Sequence, residues 1–282
     1  MSTLMSTPKN PLMSHPAGNA ILSVEHVGMR FGGLTAIADL HFDVQEGEIL
    51  SLIGPNGAGK TTAFNIMTGF LKPTQGRVLF RGQDLSKTRP NEIARLGLAR
   101  TFQRTSVFAD DTVRDNVLIG LHRHGDVALL DRLFPTPRGR RAEAAVRERA
   151  DAILDLVGLA ARADEKAGSL SYGEQRLVGF ALALAVEPKM LLLDEPVSGM
   201  NASETQGFVR LIREVRDAGV TILLVEHDMP MVMEVSDRIV CLNYGRLIAE
   251  GPPAAIRADP KVIEAYLGKS AAKLEHKEPS HA

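Results

Sequence analysis

The sequence predicts an α/β fold with a mainly parallel sheet, an antiparallel β portion near the N-terminus and an inserted α-helical segment. Residues 190–193 and 220–225 are continuous apolar runs, and an amphipathic helical pattern over 203–218 lies between them. Apolar strands that alternate with helices are typical of a parallel sheet covered on both faces. A glycine-rich loop at residues 54–62, between an apolar strand and a helix, favours the same class.

The antiparallel portion is predicted from short strand patterns that alternate over residues 21–45. Turns are expected at residues 32–33 and 46–47, where glycines interrupt the pattern, and a further strand is expected at 78–80. Residues 48–53 follow as a buried strand that leads into the glycine-rich loop.

The inserted α-helical segment is predicted over about residues 104–187. Residues 141–157 carry apolar side chains at helical spacing, with Arg and Glu on the other faces. Residues 122–140, which include Phe134 and several arginines, are typical of an exposed loop. A long helix is expected over residues 175–186.

The composition excludes several classes of protein. Lys and Arg number 33 against 34 Asp and Glu, so no global charge attracts the chain to nucleic acid or acidic lipid. The single cysteine, Cys241, excludes an intramolecular disulfide and a cysteine-cluster metal site. It lies in an apolar run, so we predict an inert core residue and a cytosolic protein.

The ends of the chain are predicted to lie outside one central domain at residues 21–268. Residues 1–20 lack the apolar core of a signal peptide, so we expect a disordered N-terminal tail. Residues 269–282 are expected to form a polar C-terminal tail. The longest apolar run, residues 177–186, is about half as long as a membrane-spanning helix.

The glycine-rich loop fits the phosphate-binding pattern G-x-x-x-x-G-K-[ST]. Its residues are Gly54, Pro55, Asn56, Gly57, Ala58, Gly59, Lys60, Thr61 and Thr62. Glycines let successive N–H groups point at an anion, and the following helix adds partial positive charge. We expect Lys60 to reach the β- and γ-phosphates of a nucleotide and the Thr61 hydroxyl to bind Mg²⁺. A strand-to-helix turn without a ligand is the disfavoured alternative.

Polar residues follow two of the predicted buried strands. Asp194 ends the first strand, where it suits a Mg²⁺ partner, and the adjacent Glu195 is a candidate for polarising an attacking water. Asp-Glu-Pro is also a common turn signal, and only the phosphate loop makes the functional interpretation the stronger one. His227 follows the second strand, at the equivalent sheet edge, where an imidazole can bond a γ-phosphate. A polar residue that only caps the strand end is the alternative.

The start of the predicted helix near residue 175 has two interpretations. Ser171 and Glu174 form a capping box, which satisfies the free N–H groups of a helix terminus. The same serine and Gly173 at a helix N-terminus would also make an anion site. The spacing alone does not choose between them.

Taken in chain order, these motifs and Gln103 resemble the ATP-binding cassette (ABC) ATPases, P-loop NTPases that hydrolyse ATP. In that order they are similar to the family's Walker A motif (residues 54–62), Q-loop (Gln103), signature (residues 170–175), Walker B motif (Asp194 and Glu195) and switch histidine (His227). The resemblance implies ATP and Mg²⁺ as cofactors, with Thr61, Gln103 and Asp194 at the metal. It implies catalytic roles for Glu195, His227 and Gln103.

The resemblance also implies that two such subunits enclose two ATP molecules head to tail. The signature residues would then face the ATP of the opposite subunit: Ser171, Tyr172, Gly173, Glu174 and Gln175. Both interpretations of Ser171 then hold at once. Phe31 is implied to stack on adenine, where many relatives have tyrosine, with an ordinary core residue as the alternative.

The chain resembles one branch of the family more closely. Residues 30–36, 100–103, the loop around Phe134 and residues 262–268 are similar to ATPase subunits of branched-chain amino acid importers. Urea and short-amide importers are near alternatives. Asn201 stands where most cassettes have aspartate, so we expect altered coupling between subunits.

This resemblance implies several partners. We expect a second ATPase subunit, identical or different, membrane-spanning permease subunits and, indirectly, a solute-binding protein, with no nucleic acid. The chain would be peripheral to the cytoplasmic face of the plasma membrane. Val107 and Phe108 are candidates for the surface that docks on the permease, with ordinary core packing as the alternative.

Two alternative functions, from other classes of protein, have less support in the sequence. A soluble cassette protein acting on DNA or ribosomes usually shows a coiled-coil insertion, a second cassette or a basic surface, and none is visible in the sequence. A GTPase switch would need a guanine-reading N-K-x-D sequence, which is also missing.

Overall fold

The computed structural model describes residues 20–101, 107–121 and 137–267. Ten strands in these residues form one sheet, in the spatial order β5-β4-β1-β2-β10-β9-β3-β8-β7-β6. The strands are β1 (Ala20–Phe31), β2 (Leu34–Gln45), β3 (Ile49–Ile53), β4 (Gln75–Phe80), β5 (Gln83–Asp84), β6 (Leu98–Arg100), β7 (Met190–Asp194), β8 (Thr221–Val225), β9 (Arg238–Asn243) and β10 (Arg246–Gly251).

Helices cover both faces of this sheet. Those in the described residues are α1 (Lys60–Met67), α2 (Pro90–Arg95), α3 (Val113–Leu121), α4 (Pro137–Leu156), α5 (Tyr172–Ala185), α6 (Ala202–Asp217), α7 (Met229–Val235), α8 (Pro253–Ala258) and α9 (Pro260–Leu267). None of these helices is long and apolar enough to cross a membrane.

The sheet has a parallel half and an antiparallel half. Strands β9, β3, β8, β7 and β6 pair with one another in parallel. Strands β5, β4, β1 and β2 pair antiparallel. β10 joins the halves, because it pairs antiparallel with β9 and parallel with β2. The predicted fold class, a mainly parallel sheet with an N-terminal antiparallel portion, is confirmed.

The apolar strands at the centre of the sheet bury both faces. In β7, Leu191 and Leu193 belong to one hydrophobic cluster, whereas Met190 and Leu192 belong to the cluster on the opposite side. Successive side chains of a strand point to opposite faces, so a strand covered on both sides must be apolar throughout. This is why the sequence of β7 is a continuous run rather than an alternating one.

The prediction of several short strands over residues 21–45 was wrong about strand length. β1 and β2 are each 12 residues long and meet at a two-residue turn, Gly32-Gly33. The register between them shifts at several points, including one between Val24 and Val27, where His26 has a positive φ of 47°. Each shift inverts the inward and outward alternation, so one long strand has the sequence pattern of several short ones.

Several other element boundaries differ from the prediction. α5 begins at Tyr172, three residues earlier than expected, since Ser171 caps it. α4 begins at Pro137, so the last residues of the predicted loop 122–140 are helical. The strands β6, β9 and β10 were not predicted, although β9 contains the apolar run around Cys241.

The helical segment shares its core with the sheet. Val117 of α3, Leu154 of α4 and Val178 of α5 lie in one hydrophobic cluster with Leu191 of β7. These three helices lie within residues 104–187, and that range remains a prediction for the insertion. Residues 1–19 of the predicted N-terminal tail, the whole predicted C-terminal tail (269–282) and the loop around Phe134 lie outside the described residues.

Candidate functional site

The phosphate-binding loop connects β3 to α1 and requires glycine at two positions. Gly54 has φ 150°, and a Cβ there would lie 2.2 Å from the Leu242 carbonyl oxygen. Gly59 precedes the first residue of α1 with φ 104°, and a Cβ there would lie 2.9 Å from the Ala36 carbonyl oxygen. Neighbouring backbone therefore fixes the path of this loop, and any larger residue would displace it.

Lys60 lies over this loop. Its Nζ donates to the carbonyl oxygens of Gly54 at 2.5 Å and Pro55 at 3.2 Å. Burial lowers the pKa of the Lys60 ammonium, while the negative charges of Glu195 and Asp194 oppose that shift. The predicted loop and the two predicted carboxylates thus belong to one electrostatic site.

Asp194 ends β7 and is 2% exposed. Its Oδ2 lies 3.8 Å from Nη2 of Arg100, while Oδ1 is buried and has no hydrogen-bond partner among the described residues. Burial is the main cause that raises the pKa of Asp194 to about 6, and Arg100 opposes it. A buried carboxylate oxygen without a partner, with the exposed Thr61 hydroxyl at the neighbouring loop, fits a hard divalent cation.

Arg100 is a site residue to which the sequence interpretation gave no role. Its Nη1 donates to Asn65 Oδ1 at 2.9 Å and to Thr68 Oγ1 at 3.1 Å, both in the region of α1. The guanidinium also lies over the rings of Phe64 and Phe70, 4.6 and 4.9 Å from their centroids. Arg100 therefore joins α1 to the Asp194 carboxylate.

Glu195 and His227 are brought together, as the sequence predicts. Oε1 of Glu195 lies 3.7 Å from Nδ1 of His227. Glu195 has a positive φ of 48°, and its N–H donates to the Val225 carbonyl oxygen at 2.8 Å. A non-glycine residue in this conformation is strained, and the adjacent strand β8 holds it there. The third predicted catalytic residue, Gln103, lies outside the described residues.

Phe31 is a surface residue. It ends β1 beside the Gly32-Gly33 turn, and 46% of it is exposed. The alternative interpretation, that Phe31 belongs to the core, is wrong. Its stacking on adenine remains a prediction, with an accessible ring to support it.

The signature residues form a second group at the N-terminus of α5. The Ser171 hydroxyl accepts from the Glu174 N–H at 3.3 Å, and Glu174 Oε2 accepts from the Ser171 N–H at 2.9 Å, which confirms the predicted capping box. Within residues 20–101, 107–121 and 137–267, no hydrogen bond or ion pair joins residues 171–175 to residues 54–62. One chain therefore presents two separate groups of predicted site residues.

The start of α6 packs beside the signature residues. A Cβ on Gly173 would lie 2.8 Å from Oε1 of Glu204, and a Cβ on Gly199 would lie 2.8 Å from the Tyr172 ring. Asn201 caps α6, because its Oδ1 accepts from the Glu204 N–H at 3.0 Å. The residue that departs from the wider family pattern therefore lies next to the signature.

The C-terminal helix α9 also reaches the phosphate loop. Burial raises the pKa of the Tyr266 hydroxyl to about 12, and the nearby Gly54 backbone opposes that shift. A cavity of about 440 Å³ lies between residues 55–58 of the loop and Lys261 and Glu264 of α9. Cys241 is buried with its pKa raised to about 12, which agrees with the predicted inert core residue.

Sequence reasoning missed the roles of Arg100, Glu226 and Tyr266. Glu226 is 1% exposed and accepts hydrogen bonds from backbone N–H groups of two loops. A charged residue at the end of an apolar strand was the available signal for both Arg100 and Glu226. No local signal indicated that Tyr266 meets the phosphate loop.

A further group of possible metal ligands lies on β1 and β2. Among the residues the structure covers, His26, Asp39 and His41 bring ligand atoms within 4.8 Å of one another. Nδ1 of His26 hydrogen-bonds to Asp39 Oδ1 at 3.0 Å, with 74% and 44% of these side chains exposed. A surface hydrogen bond accounts for this contact.

The sequence matches two family models and several known transport proteins. The ABC transporter family model matches residues 37–198, and the branched-chain amino acid ATP-binding cassette transporter model matches residues 246–272. The high-affinity branched-chain amino acid transport ATP-binding protein LivG of Escherichia coli K12 is 45% identical over 92% of this chain and 100% of its own length. BraF of Pseudomonas aeruginosa, with the same description, is 44% identical over the same shares.

Solved structures of ABC transporter proteins are also similar to this chain. The ADP conformation of MJ1267, an ATP-binding cassette of an ABC transporter, has a TM-score of 0.78 and is 34% identical, covering 89% of this chain and 100% of that one. CbiO1 from Clostridium perfringens has a TM-score of 0.75 at 27% identity, covering 92% of this chain and 98% of that one.

Proposed function

This chain belongs to the ABC transporter family, and from that premise we propose that it is the ATP-hydrolysing subunit of an importer of branched-chain amino acids. The observation that carries the substrate class is the match of residues 246–272 to the branched-chain amino acid cassette model. The same C-terminal region contains Tyr266, which contacts the phosphate loop. ATP is the nucleotide, and its hydrolysis to ADP and phosphate is coupled to transport.

The phosphate loop and Lys60 bind the ATP phosphates. Backbone N–H groups of the glycine-rich loop and of the start of α1 face the anion, and Lys60 adds a positive charge whose burial makes it more effective. Phe31 holds the adenine at the exposed end of β1. These contacts orient the γ-phosphate towards the carboxyl ends of β7 and β8.

Asp194 and Thr61 hold Mg²⁺ through oxygen ligands, with Gln103 as a third candidate. The support is the buried Oδ1 of Asp194, which has no other partner in the described part of the chain. When bound, the cation neutralises charge on the phosphate oxygens. Arg100 keeps Asp194 in position through its own bonds to α1.

Glu195 orients the attacking water and His227 contacts the γ-phosphate. Glu195 is about one-third exposed, so water reaches it, and His227 lies beside it at 3.7 Å. The water oxygen bonds to the γ-phosphorus while the bond to the β,γ-bridging oxygen breaks, which releases ADP. The Glu195 carboxylate accepts a hydrogen bond from that water and lowers the barrier.

A second ATPase subunit completes each site. The Ser171 and Gly173 group lies at the start of α5, apart from the phosphate loop of its own chain. A head-to-tail pair would bring the signature of one subunit to the ATP of the other. The pair docks on membrane-spanning permease subunits at the cytoplasmic face.

The test is transport by the full complex. The chain would be reconstituted with its permease and binding protein in liposomes, and ATP hydrolysis measured beside uptake of labelled leucine, with valine, isoleucine and urea as competitors. We expect competition by the amino acids alone. Uptake of labelled urea in place of labelled leucine would favour the short-amide alternative, and hydrolysis without uptake of either solute would favour a soluble ATPase.

The Glu195→Gln variant tests the catalytic assignment. It should still bind ATP, while hydrolysis and uptake fall by roughly 10²–10⁴-fold, because the water is no longer activated. ATP-bound subunits should accumulate as dimers. Glu214→Gln, an exposed carboxylate on α6, is the matched control and should hydrolyse ATP normally. Near-normal hydrolysis by Glu195→Gln would refute its assigned role.

A further inference from the structure

Glu226 is a buried carboxylate that joins two loops. It directly follows β8, and only 1% of it is exposed. Its Oε1 accepts from the Val197 N–H at 3.2 Å, while Oε2 accepts from the N–H groups of His227 at 2.9 Å and Asp228 at 3.3 Å. Val197 belongs to the turn after β7, and the other two donors belong to the loop after β8. These bonds are called the Glu226 bridge below.

The bridged loops carry two of the residues assigned to hydrolysis. Glu195 lies two positions before Val197, and His227 is itself one of the donors. Nδ1 of His227 lies 3.7 Å from Glu195 Oε1 and 3.7 Å from Glu226 Oε2. The relative position of the Glu195 and His227 side chains therefore depends on how the two loops are held.

The chemistry of the bridge requires a carboxylate. Within the described residues, no Lys or Arg forms an ion pair with Glu226, so backbone N–H groups stabilise its charge. An uncompensated buried charge is costly, and a packing role alone would be served better by an apolar side chain. Two acceptor oxygens are needed because the donors come from two directions. A glutamine has one acceptor, and its NH₂ group would face an N–H donor.

We propose that Glu226 is a positioning residue for ATP hydrolysis, which holds the turn that carries Glu195 and the loop that carries His227 in one arrangement. It acts through those two residues and contacts neither the nucleotide nor the water. The inference rests on the proposed function, because it assigns Glu226 a part in the same hydrolysis step.

The first experiment compares Glu226→Gln with Asp228→Asn in the full chain. Asp228 is the neighbouring carboxylate, and its Oδ1 only caps α7 by accepting from the Met231 N–H at 3.0 Å, which asparagine also does. We expect Glu226→Gln to lower kcat on the order of 10–100-fold with ATP affinity nearly unchanged. Asp228→Asn should keep kcat within about twofold. A normal kcat for Glu226→Gln would overturn the proposal.

The second experiment separates positioning from general structural support. In a double-mutant cycle with His227→Ala, a residue that acts through His227 should lose much of its effect once the imidazole is gone. Fully multiplicative losses in kcat would overturn the proposal. Amide exchange at Val197 and His227 should also accelerate in Glu226→Gln and not in Asp228→Asn, whereas unchanged exchange at both amides would refute the bridge.

Two further measurements distinguish failure of the Glu226 proposal from misfolding and from failure of the proposed function. Glu226→Asp keeps the charge but is one methylene shorter, so it cannot reach both loops, and it replaces Glu226→Gln if that variant does not fold. Wild-type kcat in Glu226→Asp would then overturn the proposal. A wild-type complex that does not hydrolyse ATP would refute the proposed function instead. The amide-exchange result would still show whether Glu226 holds the two loops together.

Discussion

At the scale of single residues, Asp194 is a buried carboxylate with one oxygen free to bind a cation. The carboxylate is 2% exposed, one of its oxygens is 3.8 Å from Arg100, and the other has no partner among the described residues. Burial raises its pKa from the ordinary value of 3.8 to about 6. The folded chain therefore tolerates the charged form at a cost, which binding of a divalent cation would offset.

This cost predicts a pH dependence of stability. Because the folded-state pKa of Asp194 lies above its unfolded value, its favourable contribution is present below pH 3.8 and is lost as the pH rises through about 6. Asp194→Asn does not titrate. In metal-free buffer, the free energy of unfolding of the wild type minus that of Asp194→Asn should fall by about 2 kcal/mol between about pH 4 and about pH 8.

Urea unfolding at several pH values measures this difference. The comparison cancels the titrating groups that do not interact with Asp194. Arg100 stays charged throughout, so its lost partner adds only a constant. A difference that does not change with pH would contradict the raised pKa of Asp194.

At the scale of elements, the N-terminus of α5 has two roles that can be separated. The Ser171 hydroxyl accepts from the Glu174 N–H at 3.3 Å, which is ordinary capping. The serine is nevertheless exposed, and Glu174 also forms an ion pair with Arg162 at 3.3 Å. An accessible helix N-terminus remains available to an anion on another subunit.

Two substitutions at Ser171 distinguish these roles. Ser171→Ala removes the cap and should lower the free energy of unfolding by about 1 kcal/mol. It should weaken ATP-driven dimerisation without abolishing it, because the hydroxyl is lost while the backbone N–H groups at the start of α5 remain. Ser171→Arg should lower stability similarly and spare ATP binding by the monomer, but abolish dimerisation, since the side chain fills the interface. Urea unfolding and size-exclusion chromatography with ATP measure the two effects. A Ser171→Arg chain that still dimerises would restrict Ser171 to capping.

At the scale of the whole molecule, Phe108 precedes α3 and 49% of it is exposed. Its backbone is held by the buried Asn116 of α3, which accepts from the Phe108 N–H at 2.8 Å and donates to its carbonyl oxygen at 3.0 Å. Val107, by contrast, is partly buried against the hydrophobic cluster beneath the helices. The predicted docking pair is therefore divided between surface and core.

The two residues should respond differently to serine. Phe108→Ser should leave thermal stability and hydrolysis by the free chain unchanged, while association with the permease and transport fail, because an exposed apolar contact is lost. Val107→Ser should lower the free energy of unfolding by about 1–3 kcal/mol. Leu156→Ser, another exposed apolar side chain, is the control. Normal transport by Phe108→Ser would remove it from the docking surface.

The sequence by itself determined the features that depend on neighbouring residues. The glycine-rich loop, the apolar runs of β7 and β8 and the capping boxes at Ser171 and Asn201 are all local patterns, so their physical causes can be read within a few residues. The family resemblance rests on the same local motifs in their order, and the comparisons confirm it.

Only the tertiary structure decided which distant residues meet. The strand order places β6 beside β7 and β8 beside both β7 and β3, which brings Arg100 to Asp194 and Glu226 to Val197. It also brings Tyr266 of α9 to Gly54. No local pattern specifies strand order, because the free energy that selects it comes from burying both faces of the sheet at once. A buried charge acquires its partners only through that assembly.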